Sequence, residues 1–367
     1  MKFLLLSPKN RTTYNFRGDL LMDIKARGYE VVVTGPDRTD VDRIEALGVR
    51  FVEVPVDKNG TSVLGDLHYC RQLVQLMKQE KPDAVLGYTV KPAVYGAIAA
   101  KIAGVKNINS MITGGGYTFI STNLKARILG LIVRTLYRIG LAQADHVIFQ
   151  NRDDLEEFTA RHLVSRKKCD IVNGSGVNME HFAPAPLPET TTFFMLSRIL
   201  KNKGVREYLK AAKAVKQVHP ELRFCLLGKY EDKMQDAIPA EQVEPYIREG
   251  IVERFEETDD VRPYYEQCSV YVLPSYREGT PRTVLEAMAM GRAIITTDTN
   301  GCRETVIEDE NGYLVPVRDA KTLARRMKYL AEHPDLIKKM GERSRAYAED
   351  KFAVDKVNAE MIRIMQL

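Results

Sequence analysis

The residue types best suited to chemistry gather between positions 274 and 291, which read Pro-Ser-Tyr-Arg-Glu-Gly-Thr-Pro-Arg-Thr-Val-Leu-Glu-Ala-Met-Ala-Met-Gly. An apolar run over 268–273 predicts a strand before this stretch, and the apolar spacing over 281–290 predicts a helix within it. Thr280 suits the N-cap of that helix and Pro281 its first helical position. Free backbone N–H groups and the helix dipole at such an end seat a phosphate, and Gly279 lets the backbone approach it. Glu286 is the one charge among Val284, Leu285, Ala287, Met288 and Ala289. A carboxylate drawn into such a run needs donors, because burial without them is costly. Vicinal ribose hydroxyls would supply two; backbone groups or a nearby Arg are the alternative.

A second concentration follows a predicted strand over 192–197 and reads Ser197-Arg198-Ile199-Leu200-Lys201-Asn202-Lys203-Gly204 before a predicted helix. Cations at a helix start gain nothing from its dipole, so local stability does not explain Arg198 and Lys203. A bound diphosphate does, and ordinary surface charge is the competing reading. Dinucleotide chemistry is excluded by a missing pattern: Ser7-Pro8-Lys9-Asn10-Arg11 after the first strand has no GxGxxG, and the Gly114-Gly115-Gly116 run meets Phe119 where a third glycine is required. No GxxxxGK[ST] phosphate loop is present. Asp40-Val41-Asp42 spells a possible metal-binding DxD, but acids in a first helical turn are favourable without a metal. The expectation is therefore a site with no metal and no cofactor.

These residues need elements to position them. Short apolar runs alternate with helical patterns along nearly all of the 367 residues, which predicts an α/β chain with two doubly wound parallel sheets. The seam is the Pro-rich stretch 178–192, with Pro184, Pro186 and Pro188. Two domains are expected, 1–180 and 181–351, with a C-terminal helix 352–367 packing back on the first. Doubly wound sheets bind ligands beyond the carboxyl ends of their strands, so a cleft between the domains is the expected site. Five scattered cysteines without CxxC spacing fit a reducing cytoplasm better than a disulfide framework.

Together, the spacing Glu278-x7-Glu286 and the upstream S-R-I-L-K-N-K-G resemble the retaining glycosyltransferases of family 4, with the two-domain GT-B fold. The resemblance spans essentially the whole chain, and Asn311-Gly312-Tyr313-Leu314-Val315 resembles the family's closing strand. It implies that Arg198 and Lys203 clamp a donor diphosphate, Glu278 binds donor-sugar hydroxyls and Glu286 holds the ribose. It also implies contacts from Gly279, Thr280 and Pro281, and a loop Glu253-Arg254-Phe255 near the base. Tyr14-Asn15-Phe16-Arg17, with other N-terminal segments, resembles bacterial enzymes that extend undecaprenyl-diphosphate-linked saccharides for capsule, O-antigen, exopolysaccharide or N-glycan assembly. Tyr14, Asn15, Arg17, Gly114 and Gly115 are then acceptor-side candidates. Two departures stand out: the first loop lacks the Gly-Gly pair of many members, and the Gly114 loop lacks their His. The expected reaction moves a hexose or N-acetylhexosamine from a nucleotide sugar, UDP foremost, to a lipid-linked acceptor. A UDP-sugar 2-epimerase and a non-catalytic sugar-nucleotide-binding module are the alternatives.

A basic first half fits nucleic acid, an anionic membrane surface, phosphorylated substrates or simply a solvated face, and the lipid-linked acceptor that the resemblance implies favours the membrane over nucleic acid. Residues 1–180 carry 25 Lys+Arg against 19 Asp+Glu, and residues 181–367 carry 29 against 30. Between Asp83 and Asp145 stand seven cations and no acid. The helix expected over 121–141 sets Arg127, Arg134 and Arg138 within about 40° of one another beside an apolar face, as in an interfacial helix. The expectation is peripheral contact with the anionic inner face of the cell membrane. A core helix with a solvated Arg edge is the alternative.

Overall fold

The computed structural model describes the chain apart from residues 58, 59, 61, 115–123 and 233 and the side chains of 124–129. It divides into two compact units, Met1–Gly176 with Val354–Leu367, and Val177–Ala353. The chain thus leaves the first unit four residues before the seam expected at 180/181.

The first unit is a seven-stranded parallel sheet of β1 (Lys2–Leu6), β2 (Glu30–Gly35), β3 (Arg50–Glu53), β4 (Ala84–Tyr88), β5 (Asn107–Ile112), β6 (His146–Phe149) and β7 (Cys169–Ile171), in the order β3-β2-β1-β4-β5-β6-β7. Its helices are α1 (Asn10–Ala26), α2 (Val41–Glu45), α3 (Val63–Glu80), α4 (Val90–Ala103), α5 (Leu124–Leu141) and α6 (Arg152–Ala160). Central strand β1 is apolar without alternation because both of its faces are covered. Leu4 and Leu6 join a core with α3 to α6, while Phe3 and Leu5 join one with α1, α2 and the C-terminal segment.

The second unit is a six-stranded parallel sheet of β8 (Thr192–Leu196), β9 (Arg223–Leu227), β10 (Glu253–Phe255), β11 (Val270–Leu273), β12 (Ala293–Thr297) and β13 (Gly312–Val315), ordered β10-β9-β8-β11-β12-β13. Around it lie α7 (Val205–Lys216), α8 (Glu244–Arg248), α9 (Arg262–Glu266), α10 (Arg282–Ala289), α11 (Ala320–Ala331) and α12 (Pro334–Tyr347). The Pro-rich seam has neither strand nor helix over 178–191. Arg345 on α12 holds it to this unit, donating Nη1–H bonds to the carbonyls of Met179, Phe182 and Ala289. The last helix, α13 (Val354–Ile364), belongs to the first unit, where Asn358 donates to Asp23 at 2.7 Å.

In both sheets strand order reverses beside the first strand, between β1 and β4 and between β8 and β11. Loops leaving such neighbours diverge to opposite faces of the sheet and open a crevice at the carboxyl ends.

Candidate active site

In the second unit that crevice is flanked by the segments after β8 and β11, which carry the residues singled out in the sequence. After β8 the chain makes a short turn, and Gly204 takes φ +76° before α7. A Cβ at Gly204 would stand 2.0 Å from the Pro274 carbonyl oxygen, so only glycine lets the two segments meet. Their junction is sealed by the Tyr276 N–H donating to the Asn202 carbonyl at 2.8 Å. Lys203 thereby reaches across the crevice, with its Nζ 2.5 Å from Glu278 Oε1. The Ser275 hydroxyl donates to the same carboxylate oxygen at 2.7 Å. Arg198 is exposed, and its side chain makes no hydrogen bond to a described residue. The structure thus joins Lys203 to Glu278 and leaves the Arg198 guanidinium turned to solvent.

Glu286 keeps different company. It is buried on α10, where Arg282, one turn earlier, donates Nε–H to Oε1 at 3.2 Å. The Tyr265 phenol, on α9, lies 3.1 Å from Oε2 and 2.8 Å from the Thr283 carbonyl, with one proton to give between them. Burial pushes the Glu286 carboxyl pKa up, while Arg282 and Tyr265 pull it back. Of the two sequence alternatives, a nearby Arg supplies one donor, and the phenol proton is divided. Neither Arg282 nor Tyr265 was singled out from the sequence. The i, i+4 spacing of Arg282 and Glu286 was legible, but the tyrosine comes from another helix.

Three expectations change in detail. Pro281 is the N-cap and Arg282 opens α10, so Thr280 lies one position outside the cap. The cause is the extended backbone of Pro281, with ψ 108°: its ring fixes φ but leaves ψ free. Residues 253–255 form strand β10 rather than a loop, paired in register with Cys225, Leu226 and Leu227. Glu253 there accepts two bonds from Arg223, at 2.9 and 2.7 Å, which hold its carboxyl below the usual range. Arg254 lies over the Tyr230 ring at 4.5 Å, and Phe255 packs edge-on against Tyr264. These interactions stitch the sheet edge and do not depend on a ligand.

The first unit's crevice holds a hydroxyl cluster that the sequence did not advertise. Tyr88, at the end of β4, has its phenol oxygen 2.5 Å from Ser7 Oγ, 3.0 Å from Thr12 Oγ1 and 3.2 Å from Thr13 Oγ1. Arg17 is buried on α1, with its guanidinium 5.5 Å from the Tyr88 ring centroid. Tyr14 donates to Asp40 at 3.4 Å, and Asn15 is exposed, so these three candidates face different surroundings. Gly114 has φ +128°, whereas Gly115 lies outside the described residues. Asp40 takes φ 56° just before α2, and no group of three potential metal ligands occurs among the described residues.

On α5 the Arg127 side chain lies outside the described residues. Arg134 is partly buried, and Arg138 donates to the carbonyls of His162 at 3.0 Å and Arg161 at 3.4 Å, closing the end of α6. No helix among the described residues is long and apolar enough to cross a membrane.

Comparison with known proteins agrees with this fold. Residues 178–347 match the family model described as glycosyl transferases group 1, and residues 2–151 match the glycosyl transferase 4-like model. A Campylobacter jejuni relative, N,N'-diacetylbacillosaminyl-diphospho-undecaprenol alpha-1,3-N-acetylgalactosaminyltransferase, is 26% identical over 92% of this chain and 91% of its own. An Escherichia coli relative, UDP-Gal:alpha-D-GlcNAc-diphosphoundecaprenol alpha-1,3-galactosyltransferase, is 27% identical over 74% of this chain and 72% of its own. Among solved structures, HepE of Anabaena in complex with UDP-glucose superposes with a TM-score of 0.81 at 18% identity, covering 100% of this chain and 99% of that one.

Proposed function

The chain belongs to the family 4 glycosyltransferases of GT-B fold, and from that premise we propose that it transfers a hexose or N-acetylhexosamine from a UDP-sugar to an undecaprenyl-diphosphate-linked saccharide, with retention of configuration. The observation that carries this reading is the Lys203–Glu278 pair at the switch-point crevice of the second sheet. In the proposed reaction the bond between the sugar anomeric carbon and the diphosphate oxygen breaks, and its electron pair stays on the diphosphate. Lys203, held at the crevice, and Arg198, once its exposed side chain closes onto the diphosphate, stabilise that charge. The acceptor hydroxyl oxygen bonds to the anomeric carbon, and its proton passes to the departing diphosphate. Glu278 holds the sugar hydroxyls, and Glu286, set by Arg282 and Tyr265, accepts from the ribose.

Two cations and a helix start supply the positive charge, so the reaction is proposed to need no metal. The relatives named for diphospho-undecaprenol acceptors support a lipid-linked acceptor in surface-glycan assembly. Such an acceptor places the enzyme at the inner face of the cell membrane, in peripheral contact through α5.

The test is turnover of UDP-sugars with a lipid-linked acceptor, after a thermal-shift screen of nucleotides. A transferred sugar, with UDP released in equal amount, is the expected result. An epimerised nucleotide sugar formed without acceptor would make the chain an epimerase. Tight UDP binding without any turnover would make it a binding module.

A further inference from the structure

The exposed apolar side chains of the molecule are unevenly distributed. Of the fourteen large ones exposed among the described residues, three stand on the first turns of α3 and three on α5. Val63, Leu64 and Leu67 are 71, 79 and 55% exposed, and Leu131, Ile132 and Ile139 are 61, 51 and 50% exposed. Among the described residues of the second unit there are two, Val218 and Tyr329. Single apolar residues scattered over a surface need no explanation, whereas grouped ones mark an interaction site. At about 100° per residue, positions 63, 64, 67 and 71 share one face of α3, and positions 131, 132, 135 and 139 share one face of α5. The opposite faces of the two helices are anchored in the core by Tyr69 and Leu73 and by Tyr137 and Leu141.

Between them, α4 fixes both. Asp66 on α3 accepts from Lys91 at 2.5 Å and from Tyr95 at 3.0 Å, both on α4. At the other side, a Cβ on Gly140 of α5 would lie 2.7 Å from Val94 Cα, so the helices touch backbone to backbone. The three therefore form one rigid layer.

Charge identifies what this layer meets. No acid occurs from 84 to 144, which spans α4 and α5. The two acids of α3 are both engaged, Asp66 by Lys91 and Glu80 by Lys2 and Arg50. Arg71 is exposed one turn after Leu67, and Arg134 adjoins the apolar face of α5. A second copy of the same layer would set cation against cation. We infer that the outer face of the α3–α4–α5 layer docks on an anionic lipid leaflet at two points, the first turns of α3 and the exposed face of α5. Apolar wedges and flanking cations are the two signals that interfacial binding needs together. The inference rests on the lipid-linked acceptor proposed above and extends it from one helix to a layer whose leading edge is α3.

Vesicle sedimentation tests it, using phosphatidylcholine alone and an equal mixture of phosphatidylcholine and phosphatidylglycerol. Wild-type protein should bind the mixture and release as salt rises. Val63→Ser, Leu64→Ser and Leu67→Ser combined should weaken binding about tenfold or more, and Leu131→Ser with Ile132→Ser should do the same. Arg71→Gln with Arg134→Gln should flatten the salt dependence. The chain has no tryptophan, so Leu64→Trp supplies a lone reporter whose emission should shift to the blue on the anionic vesicles. Wild-type binding by the triple serine variant, or an unmoved Leu64→Trp spectrum, overturns the α3 contact. Indifference of the wild type to anionic lipid overturns the whole surface, as does a change of oligomeric state in the serine variants. UDP affinity and turnover on a short soluble acceptor are measured alongside. Their failure with vesicle binding intact would overturn the proposed reaction and leave the surface standing.

Discussion

Lys203 and Glu278 are set against each other at 2.5 Å, so each charge is available to a ligand only in competition with the other. Glu278→Gln should therefore tighten UDP binding a few-fold while lowering transfer about a hundredfold or more, as removal of a contact to the reacting group does. Lys203→Ala should weaken UDP, and either Lys203→Ala or Arg198→Ala should cost roughly 10²–10³ in rate. Calorimetry with UDP beside turnover separates these effects; weaker UDP binding by Glu278→Gln would contradict the competition. Glu286 behaves differently because burial raises its pKa. A carboxyl with a higher pKa in the folded than in the unfolded chain supports the fold below the ordinary carboxylate range. That support is lost as pH rises through the folded value. Glu286→Gln should accordingly melt above the wild type near neutrality, with the gap closing as pH falls. UDP affinity should drop about ten- to a hundredfold, since hydrogen bonds to a charged acceptor are lost. A variant less stable than wild type at neutral pH would show that the Arg282 pair outweighs burial.

At the scale of elements, the crevice depends on the turn that delivers Lys203 rather than on the strands below it. Gly204 and Gly104 both have positive φ, but a Cβ at Gly104 meets nothing within 4 Å while one at Gly204 meets Pro274. Gly104→Ala should cost about 1–2 kcal/mol, the price of the left-handed backbone alone. Gly204→Ala should cost more than that and also weaken UDP, because the Lys203 turn must lift away from residues 274–276. Urea midpoints for the pair isolate the crowding, and equal losses would rule it out. Helix boundaries repeat the point. The apolar spacing of the sequence marks a helix only over 18–27, but α1 begins at Asn10. Its first turns are polar, and they hold because Thr12, Thr13 and Arg17 gather around Tyr88 from a strand far along the chain.

At the scale of the molecule, the chain returns at its end to the first unit, and α13 buries Val357, Met361, Ile362 and Ile364 there. Each fully buried apolar side chain contributes about 1.5–3 kcal/mol, and a domain has only about 5–15 kcal/mol in total. A chain ending at residue 353 should lose the fold of its first unit while Val177–Ala353 still melts cooperatively. Calorimetry of that truncation should show the first unit's transition gone, and two intact transitions would contradict it. Activity of the full chain should survive EDTA; loss restored by Mg²⁺ or Mn²⁺ would return Asp40 and Asp42 to consideration.

Much of this was legible in one dimension. Parallel strands buried on both faces must be apolar throughout, and the helices between them must carry an apolar stripe, so the alternation revealed both sheets. The spacing of Glu278 and Glu286 and the run from Ser197 to Gly204 marked the crevice because Gly and Pro punctuate the turns that form it. Other features depended on residues that meet only after folding. The strand over 253–255 is three residues long and marked by no periodicity; it exists because β9 lies beside it. The Lys203–Glu278 pair joins residues 75 apart, and Tyr265 reaches Glu286 from another helix. The apolar first turn of α3 reads as core in the sequence, since hydrophobicity does not reveal which residues a fold will cover. Burial and long-range pairing are properties of the packed chain, and only the tertiary structure decided them.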